Sequence, residues 1–274
     1  MDLNTIATVI PLRGRPDLRT WTPSAAWLAG GTWLFSEPQP ALDTLLDLAP
    51  LNWPAITTDE QGMRIAATCT IAQLNAFVPP PHYRAAPLFG ACCKALLGSF
   101  KVWNMATVGG NICLALPAAP MVALTAALDG IALIWTPDGD ECCIPVRDFV
   151  LGNQSTALRP GEVLRAIDLP VKALSRRVAF RQLSLTPLGR SAALLIGTRD
   201  QASFSLTVTA ATVRPVIIDF ARSPSADSLA SAIAAAIPEG LYHDDVHGRP
   251  DWRRHITFSL AEEIRTELFE GQSA

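Results

Sequence analysis

Two glycine pairs stand out for what bare backbone can do: Ala29-Gly30-Gly31-Thr32-Trp33 and Thr107-Val108-Gly109-Gly110-Asn111. Each follows apolar residues and ends in a small polar side chain. Where a strand turns sharply at glycine, its N–H groups lie open to an anion. Thr32 and Thr107 add hydroxyl donors, and Asn111 both donates and accepts. Together the loops suit the pyrophosphate of a dinucleotide, with ordinary turn capping as the plainer alternative. Neither pair lies in a G-x-G-x-x-G array or precedes a G-K-S/T, so the Rossmann and P-loop motifs are excluded.

Other chemistry is sparse. No triad, paired-carboxylate site or nucleophile elbow is visible, so no catalytic side chain is expected. Cys69, Cys92, Cys93, Cys113, Cys142 and Cys143 form no C-x-x-C, which argues against zinc and iron–sulfur ligation. His243 and His247 are four apart, yet Gly248 and Pro250 place them in a loop rather than on a metal-binding helix face. No metal is expected on this chain.

The elements that must position the two loops follow from pattern. Asp59-Glu60-Gln61-Gly62 between Ile56–Thr58 and Met63–Thr68 predicts a hairpin, and Pro137-Asp138-Gly139-Asp140 between Ile131–Trp135 and Cys142–Val146 predicts another. Helices are expected at Ala41–Leu48 and Met121–Leu128. Residues 110–128 carry no charge but include Asn111, Pro117 and Pro120, so they read as a loop and a buried helix rather than a membrane span. Lys172 to Arg177 reads as a crossing into a second region. Beyond it Ser191–Gly197, Phe204–Val213 and Val216–Phe220 predict an antiparallel sheet. Ser225 caps an alanine-rich helix to Ile237, and Trp252, Ile256, Leu260, Ile264 and Leu268 mark one face of a last helix.

At 274 residues and 49% hydrophobic content the chain can supply two cores. A net charge of -3 without a basic run argues against nucleic acid. Met1-Asp2-Leu3-Asn4 lacks a signal-peptide pattern, giving the expectation of a cytoplasmic protein.

The stretch Lys101 to Ile112, with Thr107-Val108-Gly109-Gly110-Asn111 at its centre, and the earlier Ala29-Gly30-Gly31-Thr32 together resemble the FAD-binding subunits of the molybdenum hydroxylases, the xanthine dehydrogenase and carbon monoxide dehydrogenase family. Arg159-Pro160-Gly161-Glu162, Ile167-Asp168-Leu169-Pro170 and Asp244 to Arg254 extend the likeness over nearly the whole chain. The resemblance implies an α+β fold, with a PCMH-type FAD-binding domain of two α/β subdomains at 1–171. A C-terminal domain of antiparallel sheet plus helices would occupy 172–274. It implies FAD held by Ala29, Gly30, Gly31, Thr32, Trp33, Leu34, Ala106, Thr107, Val108, Gly109, Gly110 and Asn111. Val163 and Leu164 would line the isoalloxazine slot, with Arg181 as the cation beside the flavin. It also implies electron transfer from the 2Fe–2S clusters of a small subunit, reduced by a molybdopterin-binding large subunit, through FAD to NAD+, oxygen or another acceptor. Trp103 stands where the family pattern has arginine, and Pro120 where it has an acid. These two leave open an alternative, a scaffold or assembly subunit that has lost FAD.

Overall fold

The computed structural model describes residues 3–201 and 203–270; Met1 and Asp2, part of the leader argument, lie outside them. The fold is α+β, built on three main sheets. The first is small and parallel: β1 (Thr8–Pro11), β2 (Ala25–Leu28) and β3 (Thr44–Asp47), in the order β1-β3-β2. Strand β3 occupies the segment expected as a helix over 41–48. Its successive Leu45 and Leu46 are both buried. A parallel strand covered on both faces reads as an unbroken apolar run, which periodicity cannot separate from a short buried helix.

The second sheet holds both expected hairpins. Strands β4 (Ile56–Thr58) and β5 (Gly62–Ala66) form the first. A helical layer follows: α1 (Ile71–Ala76), α2 (Pro87–Ala95), α3 (Phe100–Met105), α4 (Val108–Leu114) and α5 (Pro120–Ala127). Strands β6 (Ile131–Trp135) and β7 (Glu141–Pro145) make the second hairpin. After α6 (Val146–Phe149) and the ribbon of β8 (Val150–Gly152) and β9 (Ser155–Thr156), β10 (Val163–Pro170) returns between the hairpins, giving the antiparallel order β4-β5-β10-β6-β7.

The crossing contains a single turn, α7 (Val171–Leu174). Four antiparallel strands then run in sequence order: β11 (Arg177–Leu183), β12 (Ala193–Arg199), β13 (Phe204–Thr209) and β14 (Val216–Phe220). Helices α8 (Ala226–Ala236), capped by Ser225, and α9 (Pro250–Phe269) close the chain. The apolar face of α9 carries Ile256, Leu260, Ile264 and Leu268, and beside it a buried cation, Arg253. Its guanidinium donates to the carbonyls of Ala192, Ala210 and Gly248 at 2.5, 2.6 and 2.9 Å and pairs with Asp245, so α9 is fastened to the sheet by satisfied polar contacts.

Helix α5 is apolar all round and every one of its residues is buried. It packs against α2 and α4 on one side and against β12 and β13 on the other. The largest core therefore takes in Leu194, Ile196 and Ala210 of the third sheet. Among the described residues no helix is long and apolar enough to cross a membrane.

Candidate functional site

A cleft of about 870 Å³ opens between the first sheet and the helical layer, with the β11–β12 loop at its edge. One wall is the turn that follows β2. Ala29, Gly30, Gly31, Thr32, Trp33 and Leu34 all line the cleft. Among the described residues, the amides of residues 30–34 donate to no protein acceptor, while the turn itself is closed by Phe35 N–H to Gly31 O and Ser36 N–H to Trp33 O. Buried or half-buried amides are nearly always paired. Five successive N–H groups without a protein acceptor, on residues that line a cavity, are donors of the kind that an anion can take up.

Gly30 seats this turn against the opposite wall. A Cβ at Gly30 would stand 1.7 Å from the Met105 carbonyl oxygen, so the turn and the end of α3 meet backbone to backbone. Only glycine permits that approach.

The second glycine pair works differently from the expectation. No strand precedes it: Thr107 is the N-cap of α4, its hydroxyl accepting from Gly110 N–H at 3.0 Å. Val108 N–H donates to Cys69 O and Gly109 N–H to Ala67 O. A Cβ at Gly109 would lie 2.4 Å from that of Ala67. Gly109 is thus required for packing α4 on the end of β5, and neither it nor Val108 reaches the cleft. Ala106, Thr107, Gly110 and Asn111 do line it. Asn111 Oδ1 accepts from Met121 N–H at 3.0 Å, satisfying an amide in the first turn of α5. Pro120 is the first residue of α5, where a missing N–H costs nothing.

Three further candidate residues lie away from the cleft. Val163 and Leu164 are 3% and 2% exposed, at the start of β10 and inside two different cores rather than on the cleft wall. Arg181 lies outside the cleft, held by Glu263 and Glu267 of α9 at 2.7 and 2.8 Å. These carboxylates raise its pKa further, Glu263 most. The charged side chain that does line the cleft is Arg190, which sequence reading missed. It follows a turn closed by Gly189 N–H to Thr186 O, and no periodicity marks it. Leu188 joins it from the same loop. Leu96, Leu97, Val102, Leu114 and Leu116 supply apolar wall.

Trp103 packs against Gly98 and the main core. The six thiols are free; Cys113 reaches the cleft, and burial pushes its pKa up to about 12. His243 pairs with Asp245 at 3.3 Å in the expected loop. Among the described residues no three His, Cys, Asp or Glu side chains gather as metal ligands.

A mostly apolar cavity with a row of amides lacking protein acceptors and one cation at its wall suits a ligand with a flat ring and a pyrophosphate. Comparison with known proteins agrees. Residues 15–172 match the family described as the FAD binding domain in molybdopterin dehydrogenase. A putative xanthine dehydrogenase FAD-binding subunit, XdhB, of Escherichia coli (strain K12) is 26% identical over 87% of this chain and 84% of its own. A xanthine dehydrogenase of Oryza sativa subsp. japonica is 31% identical over 40% of this chain, which spans only 8% of that protein. In fold, the chain resembles a chain of quinoline 2-oxidoreductase from Pseudomonas putida 86, with a TM-score of 0.81 at 19% identity over 100% of both. The chain belongs to the FAD-binding domain family of the molybdopterin dehydrogenases, and FAD is its cofactor.

Proposed function

We propose that this chain is the electron-transferring flavin subunit of a molybdopterin-dependent hydroxylase or dehydrogenase. In this reading a small subunit with 2Fe–2S clusters delivers electrons that a molybdopterin-binding large subunit has taken from substrate. FAD, when bound, supplies the two-electron redox chemistry that links them to NAD+, oxygen or another acceptor. The observation that carries the reading is the run of residues 30–34, which line the cleft and whose amides have no protein acceptor among the described residues.

The protein's own work is binding and orientation. The amides of residues 30–34 compensate a dianionic pyrophosphate with dipoles fixed before the ligand arrives. Thr32 and the hydroxyl hydrogen of Thr107 are placed to donate to phosphate or ribose oxygens. Trp33, Leu96, Leu97 and Leu114 exclude water around the apolar parts. We propose a division near residue 172, with the FAD-binding part before it and the third sheet contributing the loop of Leu188 and Arg190.

The purified chain, with and without added FAD, tests this by its visible flavin absorption. The wild-type chain retains FAD, and Gly30→Ala weakens retention by at least about tenfold, or 1.4 kcal/mol, because its methyl group drives the turn off the Met105 carbonyl. A colourless wild-type chain that refuses excess FAD would falsify the reading and leave a scaffold.

A further inference from the structure

Arg253 is the most deeply buried charged side chain among the described residues, at 1% exposure, and it lies outside the cleft. A guanidinium taken out of water costs free energy that an apolar side chain of the same size would not, so the packing of α9 alone does not call for one. What its planar fork adds is several directed donors at once. A single nitrogen, Nη1, donates to two carbonyls, Ala192 O at 2.5 Å and Ala210 O at 2.6 Å. Nε donates to Gly248 O at 2.9 Å, and Nη2 pairs with Asp245.

The ladder of β12 and β13 ends at the pair Leu194 and Thr209. Ala192 and Ala210 lie just past that end, so Nη1 joins the two strands where their own pairing stops. Each carbonyl belongs to a segment that reaches the cleft. Ala192 N–H donates to Leu183 O at 2.8 Å, closing the base of the loop from which Leu188 and Arg190 line the wall. Ala210 N–H donates to Pro117 O at 2.8 Å, and Pro117 stands between the wall residues Leu116 and Ala118. Ala210 has φ +63, a left-handed conformation that a residue with a Cβ keeps only where its surroundings impose it. Arg253 on its carbonyl and Pro117 on its N–H are two of those constraints.

We propose that Arg253 is a positioning residue for the cleft: by holding Ala192 and Ala210 together it fixes, from outside, both the β11–β12 loop and the segment 116–119, and so sets the affinity for FAD. The inference rests on the reading of the cleft as the FAD site. Lysine cannot take its place, because one ammonium group lacks the fork that spans both carbonyls, Gly248 O and Asp245 together. A freed Ala192 loosens the base of the loop, and a relaxed Ala210 lets Pro117 and its neighbours shift. Either change spoils a wall that must be in place before the ligand arrives.

The test compares the full chain as wild type, R253K and I233A, with circular dichroism confirming that each is folded at the temperature used. Ile233 is buried on α8, which packs on α9 and β14 away from the cleft, so I233A lowers stability without disturbing Ala192 or Ala210. Two quantities are read: the dissociation constant for FAD, and the rate at which trypsin cuts after the exposed Arg190, followed by mass spectrometry. We expect R253K to bind FAD about tenfold more weakly and to be cut faster at Arg190, while I233A matches wild type in both. Equal changes in R253K and I233A mean a merely structural role and overturn the proposal, as does an unchanged R253K. Should R253K fail to fold, D245A and D245N replace it. D245A deprives the guanidinium of its anchor and weakens FAD about threefold, D245N keeps an acceptor and loses less, and an unchanged D245A overturns the proposal. A wild-type chain that takes up no FAD defeats the reading of the cleft itself, whereas a failure confined to the variants leaves that reading standing.

Discussion

Gly30 and Gly109 lack a side chain for different neighbours, and only one of them serves the cleft. At Gly30 the neighbour is a carbonyl at the end of α3; at Gly109 it is Ala67 beneath a helix. Their sequence contexts are alike, so local pattern cannot separate the two roles. Arg190 was hidden for a similar reason, since an unpaired cation is recognised by its surroundings. The thiols carry a residue-scale prediction of their own. Burial pushes Cys69, Cys93 and Cys113 up to about 12, from an ordinary value near about 8.5. The folded chain therefore holds thiol protons that the unfolded chain releases. This contribution to stability is complete below about pH 8.5 and is lost as pH rises toward about 12. Urea unfolding at about pH 8 and about pH 10 should give a lower stability at the higher pH. Cys69→Ala should flatten that slope by up to about 1.4 kcal/mol per pH unit. A slope unaffected by the substitution would mean that Cys69 is not protected in the folded state.

Element by element, what was legible depended on whether a local signal named the structure. The turn residues Asp59 to Gly62 and Pro137 to Asp140 placed both hairpins, and Ser225 marked the start of α8. Segments without such a signal were misread. Thr44–Asp47 is a strand because neighbouring strands bury it on both sides, a fact of tertiary structure. Val108–Leu114 is a helix despite two glycines that would cost an isolated helix about 1 kcal/mol each. Its cap supplies part of what propensity lacks. Thr107→Ala removes the acceptor of Gly110 N–H and should cost about 1 kcal/mol, loosening the cleft wall formed by Gly110 and Asn111. Thr107→Ser keeps the hydroxyl and should retain stability and FAD affinity. Differential scanning calorimetry on the three proteins, with FAD titrations alongside, checks both halves; equal losses in the Ala and Ser variants would point to the methyl group rather than the cap.

At the scale of the molecule, the division near residue 172 that the chain suggests is crossed by its largest core. Helix α5 precedes the crossing, yet it is covered on one side by β12 and β13, which follow it. Leu194, Ile196 and Ala210 share a cluster with Leu124, Phe89 and Ile65. Separating the parts would expose an apolar helix face, and each buried large aliphatic side chain so uncovered forfeits about 1.5–3 kcal/mol. Arg176 adds a polar tie across the crossing by pairing with Asp129 at 2.6 Å. Cooperative unfolding of the two parts follows from this geometry, in contrast to domains joined by a polar interface. Tryptophan fluorescence reports mainly the first part, which holds Trp21, Trp27, Trp33, Trp53, Trp103 and Trp135, while far-ultraviolet circular dichroism is weighted toward helices that include α8 and α9. Urea transitions followed by the two probes should coincide, and Ala123→Asp in the middle of α5 should shift both together. Well-separated transitions would mean that the interface of α5 with the third sheet contributes little, and that the parts are independent units sharing only the cleft.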